Sequence, residues 1–451
     1  MEMRIIRTRH IVLVLIIVAV LAGAWYALTR EKATLPESAL YGPKPTLVAP
    51  VRTLLPTINV AKAVGWAKGE APTTAAGLAV NGFASGLAHP RWLTTLPNGD
   101  VLVAEANSPP REVSGVKGFV MGILMKRAGA TVPSANRITL LRDGDGDGVA
   151  ETRSVLLTGL NSPTGMALAG DHLYVANTDS VVRYPFKPGE TKITAKAEKI
   201  ATLPGGGNHW ARNLIANEDG SKLYVTVGSA SNVAENGIEA EKGRAAIWEI
   251  DARTGDNRIY AYGLRNPNGL AWEPSTRTLW TTVNERDMLG SDLVPDYLTS
   301  VQFGGFYGWP WYYWGGYVDK RGPEATEDLQ EYVVRPDYAL GPHTAALGLA
   351  FADRAKLGPR FAEGAFIALH GSWNRKPLAG YKVIFVPFVK GAPAGMPIDL
   401  LTGFLDEDEN ARGRPAGVAI DRTGALLVAD DVGNRIWRVS ARTAAPGPGK
   451  P

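Results

Sequence analysis

His209 lies in the run Asn208-His209-Trp210-Ala211-Arg212-Asn213, directly after Gly205-Gly206-Gly207. Imidazole accepts a proton near neutral pH, and a glycine run lets backbone approach a ligand closely, so His209 is a candidate general base. A histidine bonded to a loop carbonyl is the alternative. Arg412 and Arg414 alternate along Arg412-Gly413-Arg414-Pro415, and Arg375-Lys376 follow Ser372-Trp373-Asn374. Converging guanidinium forks suit a ligand with several carboxylates, although the acidic run Asp406 to Glu409 could pair with them instead. The stretch FGGFYGWPWYYWGGY from Phe303 to Tyr317 offers Trp309 and Trp311 as faces for a flat ring or a sugar, or as packing. Asp143-x-Asp145-x-Asp147-Gly148-x-x-Glu151 spaces hard oxygen ligands around a sharp turn, the pattern of a calcium loop with a structural role.

These residues need a frame, and the frame repeats. A Pro or Ala, an apolar segment, a polar turn and a β-rich run recur six times, anchored at residues 90, 163, 211, 267, 346 and 415, an average of 65 residues apart. Each unit reads as two strands around a tight turn with further strands after it, such as 246–251, 381–387 and 435–439. Four strands and one long loop per unit make the chain an all-β, six-bladed propeller over 76–440, with functional groups where the inner strands begin. Leu78 to Phe83 would close the ring against the last blade.

The 451 residues include no Cys, which excludes disulfides, thiol catalysis, Cys-ligated metal and covalent haem of the C-x-x-C-H kind. Redox chemistry would then require a non-covalent organic cofactor or an oxygen- and nitrogen-held metal. Of the net charge of +4, residues 1–30 carry +3. The nearly neutral remainder argues against nucleic-acid binding. Ile11 to Leu28 is uncharged and follows three arginines, so residues 1–30 read as a signal anchor or signal peptide with the rest outside the cytoplasm, in the periplasm, held to the inner membrane. The proline content of 31–75 predicts a linker, and 441–451 a flexible tail.

Taken in order, His89-Pro90-Arg91, Asn208-His209, Val227-Gly228-Ser229-Ala230-Ser231-Asn232, Gly263 to Gly269, Tyr307-Gly308-Trp309-Pro310 and Arg412-x-Arg414 resemble the soluble six-bladed glucose/sorbosone dehydrogenases that use pyrroloquinoline quinone (PQQ), most closely the sorbosone-dehydrogenase-like branch. The resemblance covers about Leu78 to Ser440. It implies oxidation of an aldose or aldehyde sugar, with His209 as base, Asn208 at the sugar, Ser231 and Asn232 over the quinone, and Arg412, Arg414, Arg375 or Lys376 on PQQ carboxylates. It also implies a calcium ion at the quinone, bound largely by backbone carbonyls of the loop Asn284-Glu285-Arg286-Asp287, with Asp292 and Tyr307 nearby. The soluble glucose enzymes have Asp before the base, Arg at the position of Ser231 and Gly-Pro in the calcium loop, so this chain departs from them at all three. Electrons would leave to a separate acceptor, a cytochrome or a membrane quinone. A calcium-dependent lactonase and a non-catalytic ligand-binding propeller are the competing readings.

Overall fold

The computed structural model describes residues 2–29, 31–53, 56–110, 115–326 and 328–442, without the side chains of 2–9, 27–29, 116 and 117. The tail expected at 441–451 lies beyond these from residue 443.

Six antiparallel sheets follow one another, with inner strands Pro90–Thr95, Gly165–Ala169, Leu214–Ala216, Asn266–Trp272, Ala346–Phe351 and Pro415–Ile420. Neighbouring inner strands touch in cyclic order, so the sheets form the six blades of a propeller. Leu78–Ser85 is the outermost strand of the sixth blade, paired with Arg435–Ala441. The ring is thereby closed by joining the two ends of its own sequence.

No blade buries its faces alone. Among the described residues, six large apolar clusters each lie between two adjacent blades, one at every junction. The repeated signature has a steric cause at the axis. A Cβ on Gly165, Gly269, Gly348 or Gly417 would come within 2.4, 2.4, 2.5 and 2.8 Å of backbone in the next inner strand. These glycines of P-T-G-M, P-N-G-L, A-L-G-L and P-A-G-V let the inner strands converge around a narrow channel.

Residues 31–75 differ from the expected linker. Tyr41–Gly42 pairs with Tyr338–Pro342 and Thr73–Thr74 with Ile398–Thr402, so the stretch adds outer strands to blades four and five. Its prolines fit such edge positions because they lack only a donor that an edge does not need. The N-terminal residues form one helix, Glu2–Thr29. Among the described residues no helix is long and apolar enough to cross a membrane.

Candidate active site

Every inner strand starts at the same end of the ring, where a cavity of about 600 Å³ opens. Its size falls within the range of small-molecule sites, roughly 300–1,000 Å³. Its walls come from two kinds of segment. One is the residue before an inner strand: His89, Arg265, Ala345 and Arg414; the other is the loop leaving the second strand of a blade, which supplies Asn107, Asn232, Glu285, Asp287, His370 and Asp431. Four of the chain's six histidines, His89, His209, His343 and His370, line this one cavity.

The geometry around His209 fixes its tautomer. Nδ1 lies 2.8 Å from the Ser229 carbonyl and 3.1 Å from Ser229 Oγ, whose own proton goes to the Ser231 carbonyl at 2.7 Å. Both neighbours are acceptors, so Nδ1 carries the hydrogen and Nε2 the basic lone pair. The supporting loop is rigidly held. The Ser229 amide donates to Arg265, while Glu241 accepts from Ala230 N at 2.7 Å and from Ser231 Oγ. Gly228 is bare because a Cβ there would lie 2.3 Å from Asn266 Oδ1 and 2.5 Å from His209 Cβ. Arg212 is wholly buried and braces the histidine segment, donating to the carbonyls of His209, Ala211 and Pro204 at 2.7 to 2.9 Å. Burial among carbonyls pushes its guanidinium down to about 9, still charged at neutral pH.

Two polar groups face the same space. On blades six and one, the buried Asp431 carboxylate accepts from Arg91 and from His370 Nε2 at 2.7 Å, with His89 Nε2 at 3.5 Å. Burial lowers His370 to about 4 against the pull of Asp431, and lowers His89 as well, so both rings are neutral near pH 7. Beside them Arg414 donates to the Tyr381 hydroxyl at 3.1 Å. On blade four lie Glu285, Asp287 and Asp296, tied to blade three by Arg265, which bridges Asn232 Oδ1 and Asp287 Oδ2 at 2.8 Å each. Burial raises Asp296 to about 7, opposed by the amides of Glu285 and Ala345 that it accepts.

Buried polar atoms without a partner show what such a cavity is built to receive. Four of the nine among the described residues belong to it: Arg414 Nε, Glu285 Oε1, Asn374 Oδ1 and Asp431 Oδ1. The donor suits a carboxylate; Glu285 Oε1 and Asn374 Oδ1, beside Asp287, suit a hard cation. An acidic quinone and calcium both fit this donor set.

The sequence-predicted residues divide accordingly. The cavity gathers His209, Asn208, Asn232, Arg414 and Glu285. It does not gather the others. Arg412 points to Glu70 at 3.7 Å, since the chain bends at Arg412 and the strand begins only at Pro415, so the two arginines do not share a side. Arg375 is buried beneath the site on Ser291 O, Pro377 O and Asp292, and Lys376 is exposed. Ser231 faces Glu241. The Arg286 side chain is fully buried between Glu285, Asp319 and the carbonyls of Pro310 and Tyr312 and does not reach the cavity. Asp292 caps Thr34 and Leu35, and Tyr307 donates to Ser300. Trp309 donates to the Asn232 carbonyl and Trp311 to Glu324, so the aromatic run is packing between blades three and four, and Trp210 and Trp373 are the indoles that line the cavity. The expected ring of cations is instead a mixed wall of three arginines and five carboxylates.

Asp143, Asp145, Asp147 and Glu151 do come together, with one oxygen from each within 4.8 Å of the others. They sit in the hairpin between the third and fourth strands of blade one, at the pole opposite the cavity, where Asp143 O accepts from Arg422. Reading along the chain gave no role to Arg91, His370, Asp431 and Arg265, whereas Asp287 stands in the loop expected to hold calcium. Arg91 follows the recurrent proline, a position at which the repeat itself pointed.

A closed six-bladed ring whose axial cavity holds an oriented histidine beside separate cationic and acidic groups defines a propeller built for a small polar ligand. The TrAA12-like family model matches residues 72–295 and 319–442, and the chain belongs to that family. A solved structure of Trichoderma reesei carbohydrate-active enzyme family AA12 superposes with a TM-score of 0.67 at 19% identity, covering 82% of this chain and 98% of that one. The holo form of the pyranose dehydrogenase PQQ domain from Coprinopsis cinerea gives 0.65 at 20% identity, covering 84% and 100%. In sequence, the PQQ-dependent pyranose dehydrogenase of Coprinopsis cinerea is 24% identical over 344 residues, 62% of this chain and 46% of the relative, so the chain spans about half that relative's length.

Proposed function

We propose that this protein is a PQQ-dependent oxidoreductase that oxidises an aldose or an aldehyde sugar of the sorbosone kind. The observation that carries the reading is the His209 ring, held by Ser229 with Nε2 as its basic nitrogen, in the same cavity as the unpartnered Arg414 Nε and the oxygens of Glu285 and Asn374. The names of the relatives, which oxidise sugars with PQQ, support it. Arg414, with Arg91 close to the same group, would hold the carboxylates of the cofactor. Glu285, Asp287 and Asn374 would hold calcium. What PQQ supplies when bound is an electrophilic quinone able to take two electrons. The chain's own work is positional. Nε2 of His209 takes the proton of the sugar hydroxyl, and Asn208 and Trp210 line the space beside it. No haem motif is present, so a separate acceptor, a cytochrome or a membrane quinone, receives the electrons. The arginines ahead of an exposed apolar helix support a location outside the cytoplasm.

Dye reduction by the protein loaded with PQQ and calcium, across a panel of aldoses and sorbosone, tests this reading; turnover with none of them refutes it. The amides of Asn266 and Asn284 beside Glu285 favour a second reading, a calcium-dependent lactonase, which lactone hydrolysis by PQQ-free protein would reveal.

A further inference from the structure

The loop between the second and third strands of blade one carries a helix, Gly115–Arg127, at the rim of the cavity. Met121 and Met125 line the cavity, and among the described side chains of the helix none is fully buried, Leu124 and Met125 being half-buried. Phe119 is 71% exposed and Ile123 53%. A mostly apolar helix left this open lacks its partner in the isolated chain. The neighbouring strap continues the surface. Ala63 N donates to Arg127 O at 2.9 Å, and the next residue, Val64, is 49% exposed. Cations rim the patch: Lys126 and Arg127 end the helix and Lys62 stands on the strap, all exposed.

A second apolar segment leaves from the same rim. The N-terminal helix ends at Thr29, and Glu31 just after it is clamped by Ser291 N and Oγ at 2.6 and 2.8 Å. Met288, in that same loop, lines the cavity. The side chains of the N-terminal helix from Ile11 to Tyr26 are exposed and almost all apolar. Both exposed apolar helices therefore emerge on the face that bears the cavity mouth.

From these features we infer that the mouth-bearing face docks on an anionic lipid bilayer, with the Gly115–Arg127 helix lying in the interface. An apolar helix face bordered by lysine and arginine is suited to a lipid surface, where the side chains enter the acyl boundary and the cations meet headgroup phosphates. A protein partner would meet the aromatic face without needing the cationic rim or the second apolar helix. The docking rests on none of the chemistry proposed above. Where that chemistry holds, it brings the cavity against the bilayer and points to a lipid-soluble quinone as the electron acceptor.

The chain has no cysteine, so Phe119→Cys accepts a single NBD fluorophore at an exposed site whose substitution leaves the core untouched. Ser221→Cys, in the blade-three hairpin at the opposite pole, is the control. The full chain is mixed with vesicles containing phosphatidylglycerol. The expected result is a blue shift and gain in emission at residue 119 with quenching by nitroxide-bearing lipids, weaker on purely zwitterionic vesicles, and no change at 221. Water-like emission at 119 while the protein co-sediments with vesicles overturns the inference. So does a blue shift at 119 in lipid-free protein that rises with protein concentration, which would mean that a second copy covers the helix.

Discussion

Gly228→Ala places a single methyl group where the structure has no room for one. The glycine's φ is not in the left-handed region, so alanine suits the backbone and the whole effect comes from contact. The new Cβ would stand 2.5 Å from His209 Cβ and 2.3 Å from Asn266 Oδ1. Ordinary contact for such atoms begins near ~3.5 Å, so His209, Asn266 or both must retreat by about 1 Å. A displacement of that size at a reacting group costs about 10²-fold in rate. Overpacking of this kind destabilises by about 1–3 kcal/mol, which a folded propeller tolerates. Saturating turnover with PQQ and an oxidisable sugar should therefore fall by about 10²-fold. PQQ affinity should change little, because Arg91 and Arg414 lie across the ring on blades one and six. Turnover within twofold of the parent, in a variant that still melts cooperatively, would refute the placement of His209 as the base.

Replacing His209 by Gln should lower turnover by roughly 10²–10⁴-fold with PQQ binding retained, measured by steady-state kinetics beside an absorbance titration. Arg414→Ala should weaken PQQ binding, whereas Arg412→Ala, paired with Glu70 outside the cavity, should leave it unchanged in the same titration. The histidines predict an acid limb of stability. His370 falls from its ordinary 6.5 to about 4 in the folded state, so the unfolded chain binds the proton first and stability is fully present above about 6.5 and lost as pH falls toward 4. That contribution is about 3 kcal/mol, and urea melts of His370→Gln should lack much of this pH dependence between those limits. Asp145→Ala at the far pole should abolish calcium-dependent protection in thermal melts while leaving turnover intact, since Asp143 to Glu151 face away from the cavity.

The ring was legible because its cause is local. Glycines at 165, 269, 348 and 417 are required where one inner strand crowds the next, and that demand prints the same short signature at four of the six blades. His209 was legible for a related reason, since three glycines and a blade start mark its loop. The rest of the site was not. His370 and Asp431 lie on loops that leave the second strands, whose lengths and residues follow no repeat, and they converge only because the blades close into a circle. Arg412 and Arg414 misled for a geometric reason. Alternation puts two side chains together only along a straight strand, and here the chain bends at Arg412 before the strand begins at Pro415. The aromatic run misled through composition. Its rings look available on paper but pack against blade three and one another, with Phe306 stacked on Tyr262 and Tyr313 on Tyr317.

The central claim is that the axial cavity holds PQQ. Titration of the purified protein with PQQ in the presence of calcium, followed by the absorbance of the quinone, addresses it without reference to any sugar. A saturable change at one PQQ per chain, lost in Arg414→Ala and kept in Arg412→Ala, is the predicted result. An absorbance trace that superposes on free PQQ at every ratio, or binding that both arginine variants retain alike, would contradict the account.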